Sequence, residues 1–244
     1  MGRKRQSRGR PRKGRLTMRT TMALGMGFAA VVTIAGFAYA GGPAEATVMQ
    51  VTFEAVQPGS LPTGWKVEAT NQRGKLAVWK VAADPSAPSS PNILEAVPRS
   101  DNFGGTYNLC WNNSVGFLDG EIEVRLRANT GHEDQGGGPI WRVKDQDNYY
   151  ISRYNPLERN FRVYLVKDGM RKMLDGVGRI EIPKGTWFTI RIVQKGDHIE
   201  GWLDGKKLLD AHDDTFTEPG GVGLWTKADA ATSFDDFTAR PTAE

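Results

Sequence analysis

The sequence predicts an all-β fold, an antiparallel sandwich or barrel built as one domain. Three observations carry this. From Val48 onward almost no stretch has helical period. Short runs instead alternate apolar and polar residues, the period-2 pattern of half-buried strands. Turn signals divide those runs at short intervals, as in antiparallel meanders rather than βαβ units. Cys110 is the only cysteine, so no intramolecular disulfide can form. About 200 residues bury a large core without one.

The elements follow in order. Residues 41–47 are a small-residue linker, and 48–240 form the domain. Pro58-Gly59 and Pro62-Thr63-Gly64 bracket Leu61 ahead of Trp65. Lys75 to Val81 alternates as a strand carrying Trp79. Ala83 to Asn92 holds three prolines and reads as an ordered surface loop. Leu109-Cys110-Trp111 places the cysteine as a small buried apolar residue. Asp119-Gly120 opens EIEVRLRA, which puts Ile122, Val124 and Leu126 on one face. Glu121, Glu123, Arg125 and Arg127 take the other, as a solvated ladder of paired charges. Phe161 to Val166 is a strand, and Lys167-Asp168-Gly169 is a hairpin turn. Thr186 to Gln194, Ile199 to Leu203, Lys206 to Leu209, Val222 to Thr226 and Ser233 to Thr238 complete the set. No internal repeat of fixed period is present.

Residues 1–40 differ from the rest. A basic stretch (Arg3 to Arg19) precedes an apolar run from Met22 that ends in Ala38-Tyr39-Ala40. This is the pattern of a secretory signal peptide with a basic leader. The rival reading is an uncleaved anchor. The leader holds nine of the 32 Lys and Arg and none of the 28 Asp and Glu. The rest of the chain is therefore mildly acidic, and nothing basic remains to suggest a nucleic-acid partner. The expectation is an exported monomer, periplasmic or extracellular, with no membrane span after cleavage.

The stretch from Asp134 to Pro156, DQGGGPIWRVKDQDNYYISRYNP, is the centre of the functional reading. Three glycines lead into a strand through Trp141 and Val143. A turn at Lys144 to Asn148 leads to a second strand through Tyr149, Ile151 and Arg153. A hairpin of this kind can offer aromatic faces and charged donors to one ligand. The bland alternative is a meander hairpin whose aromatics fill a core.

Several segments together carry a family resemblance: DQGGGPIWR, DNYYISRYNPLERN, GDHIEGWLDGKKLL, DDTFTEPGGVGLWTKAD and SFDDF, in that order. They resemble the concanavalin A-like lectin/glucanase superfamily. The closer similarity is to its 3-keto-disaccharide hydrolase-type domains, which are also described as similar to family 16 glycoside hydrolases. The resemblance implies a jelly-roll β-sandwich of two curved antiparallel sheets, the concave one forming a sugar-binding groove. It also implies one structural Ca²⁺ near the paired termini, for which Glu54, Asp235 and Asp236 offer oxygen ligands. No organic cofactor is implied.

Family 16 glucanases carry a Glu-x-Asp-x-Glu type motif. Glu121-Ile122-Glu123-Val124-Arg125 has arginine at the third position, and no other stretch supplies the motif. Ordinary two-carboxylate glucanase chemistry is therefore not expected. Cleavage of a 3-keto-glycoside asks for different parts. The C3 ketone acidifies the C2 proton, a base removes it, and the glycosidic oxygen leaves from C1. His132, Glu133 and Asp134 are the candidate catalytic residues. Gln135, Trp141, Arg142, Tyr150, Arg153, Tyr154, Asn155, Trp225 and Lys227 are the candidate substrate-binding residues, with Trp111 as a further aromatic. Alternation lets only half of the hairpin aromatics face a groove. Two functions stand from this reading: hydrolysis of 3-keto-glycosides or related sugars, and non-catalytic glycan binding. An envelope protein using the sandwich as an interaction surface is a third. Asn112-Asn113-Ser114 matches a glycosylation sequon, and His212-Asp213-Asp214 reads as a solvated turn.

Overall fold

The computed structural model describes residues 47–99 and 104–242. The signal-peptide reading and most of the linker lie outside the described residues. Among the described residues, no helix is long and apolar enough to cross a membrane.

The described chain is built from fifteen strands. They are β1 (Met49–Val51), β2 (Lys66–Thr70), β3 (Val78–Ala83), β4 (Asn92–Val97), β5 (Tyr107–Phe117), β6 (Gly120–Thr130), β7 (Gly138–Asp145) and β8 (Asn148–Asn155). The second half supplies β9 (Asn160–Lys167), β10 (Met170–Gly178), β11 (Trp187–Lys195), β12 (His198–Leu203), β13 (Lys206–His212), β14 (Gly220–Lys227) and β15 (Ala231–Pro241). All pairings are antiparallel. One sheet runs β13-β12-β11-β6-β15-β4-β3, with β1 also on β15; the other runs β10-β9-β8-β7-β14-β5-β2. This is the expected jelly-roll sandwich.

Alternation builds the core between the sheets. Ile122, Val124 and Leu126 of β6 are fully buried, as are Ile190 and Ile192 beside them on β11. Aromatic pairs fill it: Trp79 stacks on Phe234 within the eight-stranded sheet (centroids 5.6 Å apart), and Tyr154 meets Phe188 edge-on across the two layers at 5.1 Å. Cys110 lies in this core, where burial pushes its thiol pKa far up, so it packs rather than reacts. The charge ladder on β6 is real, but its partners differ from a within-strand reading. Glu121 pairs across strands with Arg191 (2.8 Å) and Arg240, Arg125 faces Asp236, and Arg127 reaches Asp84 in the proline-rich loop. Directly opposed residues on neighbouring strands come closer than residues two apart on one strand.

Backbone crowding explains the glycine run ahead of β7. Gly136 has φ +78, and a Cβ on it would lie 2.1 Å from the Tyr154 carbonyl. A Cβ on Gly138 would meet the Ser152 carbonyl at 2.0 Å. The run lets the chain slip between β8 and β14.

Arg142 closes one end of the sandwich. It sits at an irregularity in β7 with φ +46 and is almost fully buried. Nε donates to the Leu118 carbonyl (2.9 Å), Nη1 to Phe216 (2.6 Å), and Nη2 to Gly196 (2.7 Å) and to Asp119 Oδ1 (3.1 Å). Trp141 joins the same network through Gln194, whose amide donates to Gly196. Replacing Arg142 with methionine keeps volume but strands those acceptors. We expect a loss of about 2–4 kcal/mol in urea denaturation with an unchanged slope. A loss below about 1 kcal/mol would show that water replaces the guanidinium without cost.

Candidate functional site

The pleat of β8 sorts the hairpin. Tyr150 and Tyr154 point into the core between the sheets, and Tyr149, Ile151 and Arg153 point to the outer face of the seven-stranded sheet. Trp141 pairs with Tyr150 and goes inward with it. Tyr150 donates to Asp213 (2.7 Å), and Tyr154 donates to the Ile180 carbonyl (3.1 Å) while accepting from the Ile182 amide. These bonds satisfy the hydroxyls that the core would otherwise strand. Trp141, Tyr150 and Tyr154 are therefore corrected from ligand contacts to core residues, and Arg142 to the end network.

The outer face of the seven-stranded sheet is where the remaining candidates gather. Its floor is aromatic and apolar: Tyr107, Leu109, Trp111, Ile140, Tyr149, Ile151, Tyr164 and Trp225. Trp225 donates to the Tyr149 hydroxyl (3.2 Å), which shares a second bond with Thr70 (2.8 Å). Burial pushes the Tyr149 phenol pKa up and keeps it a neutral hydrogen-bonding group.

Cations lie over this floor. The Lys66 ammonium stands 4.0 Å from the Trp111 ring centroid. The Arg171 guanidinium carbon lies 4.3 Å from the Tyr164 ring, 5.2 Å from Tyr107 and 5.9 Å from Trp225. Arg153, only 1 % exposed, donates to Glu158 (2.7 Å), Asn160 (3.0 Å) and the Tyr164 hydroxyl (3.3 Å). For Glu158, burial works upward, but the Arg153 and Asn160 bonds outweigh it and bring its pKa down to about 2.

The Gly131-to-Gln135 loop sits at one edge of the face. Asp229, which the sequence reading did not single out, accepts from the backbone amides of His132 (2.6 Å), Glu133 (3.0 Å) and Asp134 (2.9 Å). Burial raises its pKa, and the amides reverse that and hold it below the ordinary aspartate range. Asp134 is buried, with Oδ2 on Lys227 (2.8 Å) and Oδ1 on Asn155 (2.7 Å). With both oxygens engaged it positions Lys227 rather than standing ready as a base. Asn155 also accepts the amides of Leu157 and Glu158, and Gln135 donates to the Gly131 carbonyl, so both brace turns. His132 and Glu133 project to solvent. The Glu133 carboxylate packs on the Gly104 backbone, where an added Cβ would fall 1.6 Å from Oε1. It accepts no hydrogen bond from a described residue.

The structure thus brings Arg153, Asn155, Trp225, Lys227 and the His132-to-Asp134 loop to one sheet face. Arg171, Tyr107, Tyr164 and Asp229 join them. A signal for Tyr107 exists in the sequence: Leu109, Cys110 and Trp111 are apolar at successive positions, as in a strand covered on both faces. Arg171 lies on an edge strand whose sequence alternates weakly.

The three residues named as calcium ligands lie close to the proline-rich loop and β6 and already carry hydrogen bonds or an ion pair. Asp235 takes the Ser89 amide and hydroxyl (both 2.8 Å), Glu54 takes the Asn92 amide, and Asp236 faces Arg125. Burial pushes the Asp235 carboxyl up to about 6 despite those donors. Each of its oxygens accepts a hydrogen bond from Ser89. Among the described residues, the group whose ligand atoms lie within 4.8 Å of one another is His198, Asp210 and His212 instead. Asn112 of the sequon is buried and bonds the Ser114 amide.

A family model described as the 3-keto-alpha-glucoside-1,2-lyase-like domain matches residues 58–240. Among solved structures, the carbohydrate-binding module CBM66 from Bacillus subtilis aligns with TM-score 0.57 and 21 % identity, over 72 % of this chain and 95 % of that one. The cellulose-induced protein Cip1 aligns with TM-score 0.55 and 15 % identity, over 79 % and 97 %. The exoplasmic/lumenal domain of VIP36, in a Ca²⁺/Man-bound form, aligns with TM-score 0.51 and 14 % identity, over 76 % and 86 %. No curated protein matches in sequence. At these identities the structural likeness establishes the jelly-roll fold.

The lowered Glu158 pKa has a sign that can be checked. The folded value lies below the unfolded one, so its contribution is present above about pH 4.5 and fades as pH falls toward 2. With solvent screening of the half-exposed carboxylate, Glu158→Gln should cost about 1–2 kcal/mol at pH 7 and nearly nothing at pH 2. Urea midpoints across that range measure it, and an equal cost at both ends would contradict the assignment.

Proposed function

The chain belongs to the 3-keto-alpha-glucoside-1,2-lyase-like family, and from that premise we propose that it acts on 3-keto-glycosides at the outer face of its seven-stranded sheet. The reading rests chiefly on Glu133, an exposed carboxylate without a described partner, on a loop fastened by Asp229 beside the Asp134–Lys227 pair. A base needs a free lone pair and a fixed approach, and Glu133 has both. In the proposed reaction its carboxylate takes the C2 proton. The C2–H electrons form the C1=C2 bond, the C1–O bond breaks, and the departing oxygen collects a proton. Negative charge building on the C3 oxygen is met by the Lys227 ammonium, which Asp134 holds in place. His132, next to Glu133, is the candidate to protonate the leaving oxygen. Tyr107, Tyr164 and Trp225, buried beneath Arg171, form the floor that supports the cations facing the ligand, so Trp225 serves the site from below rather than as a direct ligand contact. Addition of water to the resulting enone completes net hydrolysis.

Non-catalytic glycan binding at the same face is the second reading. It is favoured by the likeness to CBM66 and by the missing glucanase carboxylate motif. The Glu121–Glu123 pair lies on the other sheet, where Glu121 is paired with Arg191 and Arg240 and Glu123 stands opposite Arg191 in register. The leader at residues 1–40 supports export under either reading.

The experiment is incubation of the domain with paired plain and 3-keto disaccharides, with products followed by mass spectrometry. Cleavage confined to the oxidised substrates is expected, and Glu133→Gln should lower turnover by about 10²-fold or more while ligand is still bound. Intact substrates at high protein concentration, with saturable sugar binding, would replace catalysis with the second reading.

A further inference from the structure

One of the cations gathered on the proposed face stands without a carboxylate partner among the described residues. Lys66 faces Glu68 (3.1 Å), Lys227 faces Asp134, and Arg153 and Arg162 share Glu158. Arg171 is on the same face, opposite Val166 on the neighbouring strand, and has no carboxylate partner among the described residues. Its guanidinium stacks over the rings of Tyr164, Tyr107 and Trp225. Stacking uses the guanidinium face and leaves the in-plane N–H groups to find acceptors. Nη1 of Arg171 is buried and has none. Nε of Arg153, a nearly inaccessible arginine 5.8 Å from the same Tyr164 ring, is also buried without a partner.

An unmet donor in a buried position costs about 1–3 kcal/mol, and more when charged. Two of them flanking one tyrosine, on a face where a cation goes unpaired, describe a site lacking its anion. A neutral sugar hydroxyl can accept one such bond but brings no charge. A planar carboxylate accepts two donors side by side and also gives the unpaired guanidinium its counter-charge. The buried rings beneath hold that guanidinium in place from its other face.

We propose that the saccharide held at this face carries a carboxylate, as a uronic acid does, and that Arg171 with Arg153 receives it. This rests on the glycan reading above and narrows it to acidic sugars. Under that reading Lys227 serves the reacting ketone, and the arginine pair holds the charged substituent of the same or the adjoining sugar.

The test is calorimetric titration of the domain with two disaccharides that differ only at C6, one glucuronosyl and one glucosyl, at low and high salt. The glucuronosyl compound should bind at least tenfold more tightly at low salt, with the margin shrinking as salt rises. Arg171→Gln should abolish the margin, so that the variant binds the glucuronosyl and glucosyl compounds alike, and Arg171→Lys should restore only part of it. Thermal unfolding of each variant confirms that the edge strand is retained. Equal affinity for both compounds, or an unchanged margin in Arg171→Gln, overturns the proposal and leaves glycan binding standing. Absence of binding to either compound overturns the glycan reading and this inference together.

Discussion

A strand has two faces, and in this protein the seven-stranded sheet needs both of them buried. One face closes the core against the eight-stranded sheet. The other carries a second apolar layer of Tyr149, Ile151, Tyr164 and Trp225 that no third sheet covers. The chain covers it instead with long cationic side chains laid over aromatic rings. Arginine and lysine suit this because their stems and faces shed water while their nitrogens keep polar company. That arrangement makes the outer face at once a hydrophobic surface and an electrostatic one. Its ligand preferences follow from the combination rather than from either part.

The fold was readable because the apolar face of each strand repeats every second residue. On β6 the alternation of Ile122, Val124 and Leu126 with charged neighbours leaves no other register. The outer layer was harder for the same reason. A strand covered on both sides loses its alternation, so Leu109-Cys110-Trp111 of β5 and Leu224-Trp225 of β14 are apolar at successive positions and the pattern says nothing about which ring faces which layer. Counting along the chain established that Tyr149 and Tyr150 diverge, but not which one the core takes. That is settled by what waits across the gap: Phe216 and the Asp213 carboxylate receive Tyr150. Those residues lie more than sixty positions away and cannot be read from the hairpin itself.

The loop that holds Glu133 shows a related limit. Its own sequence, Gly131 to Gln135, is short, polar and unremarkable as a turn. Its order comes from Asp229, which lies almost a hundred residues downstream and presents one carboxylate to three consecutive amides. Asp134 could be named from the sequence as a functional acid. Its task, holding Lys227 and Asn155, becomes visible only when β8 and β14 are brought to either side of it. The surroundings of Asp235 and Asp236 were hidden in the same way: Ser89 donates to the first and Arg125 faces the second, and neither partner can be read from the SFDDF segment.

Arg142 has a consequence for the order in which the molecule assembles. Its acceptors come from the β5–β6 corner, the β11–β12 turn and the segment before β14. None of these is in position until both sheets have formed and met, so the guanidinium cannot help the chain climb the folding barrier. Interactions made only after the barrier leave the folding rate alone and slow the reverse step. The arginine therefore works as a latch on a finished sandwich, governing how long each molecule stays closed once it is made.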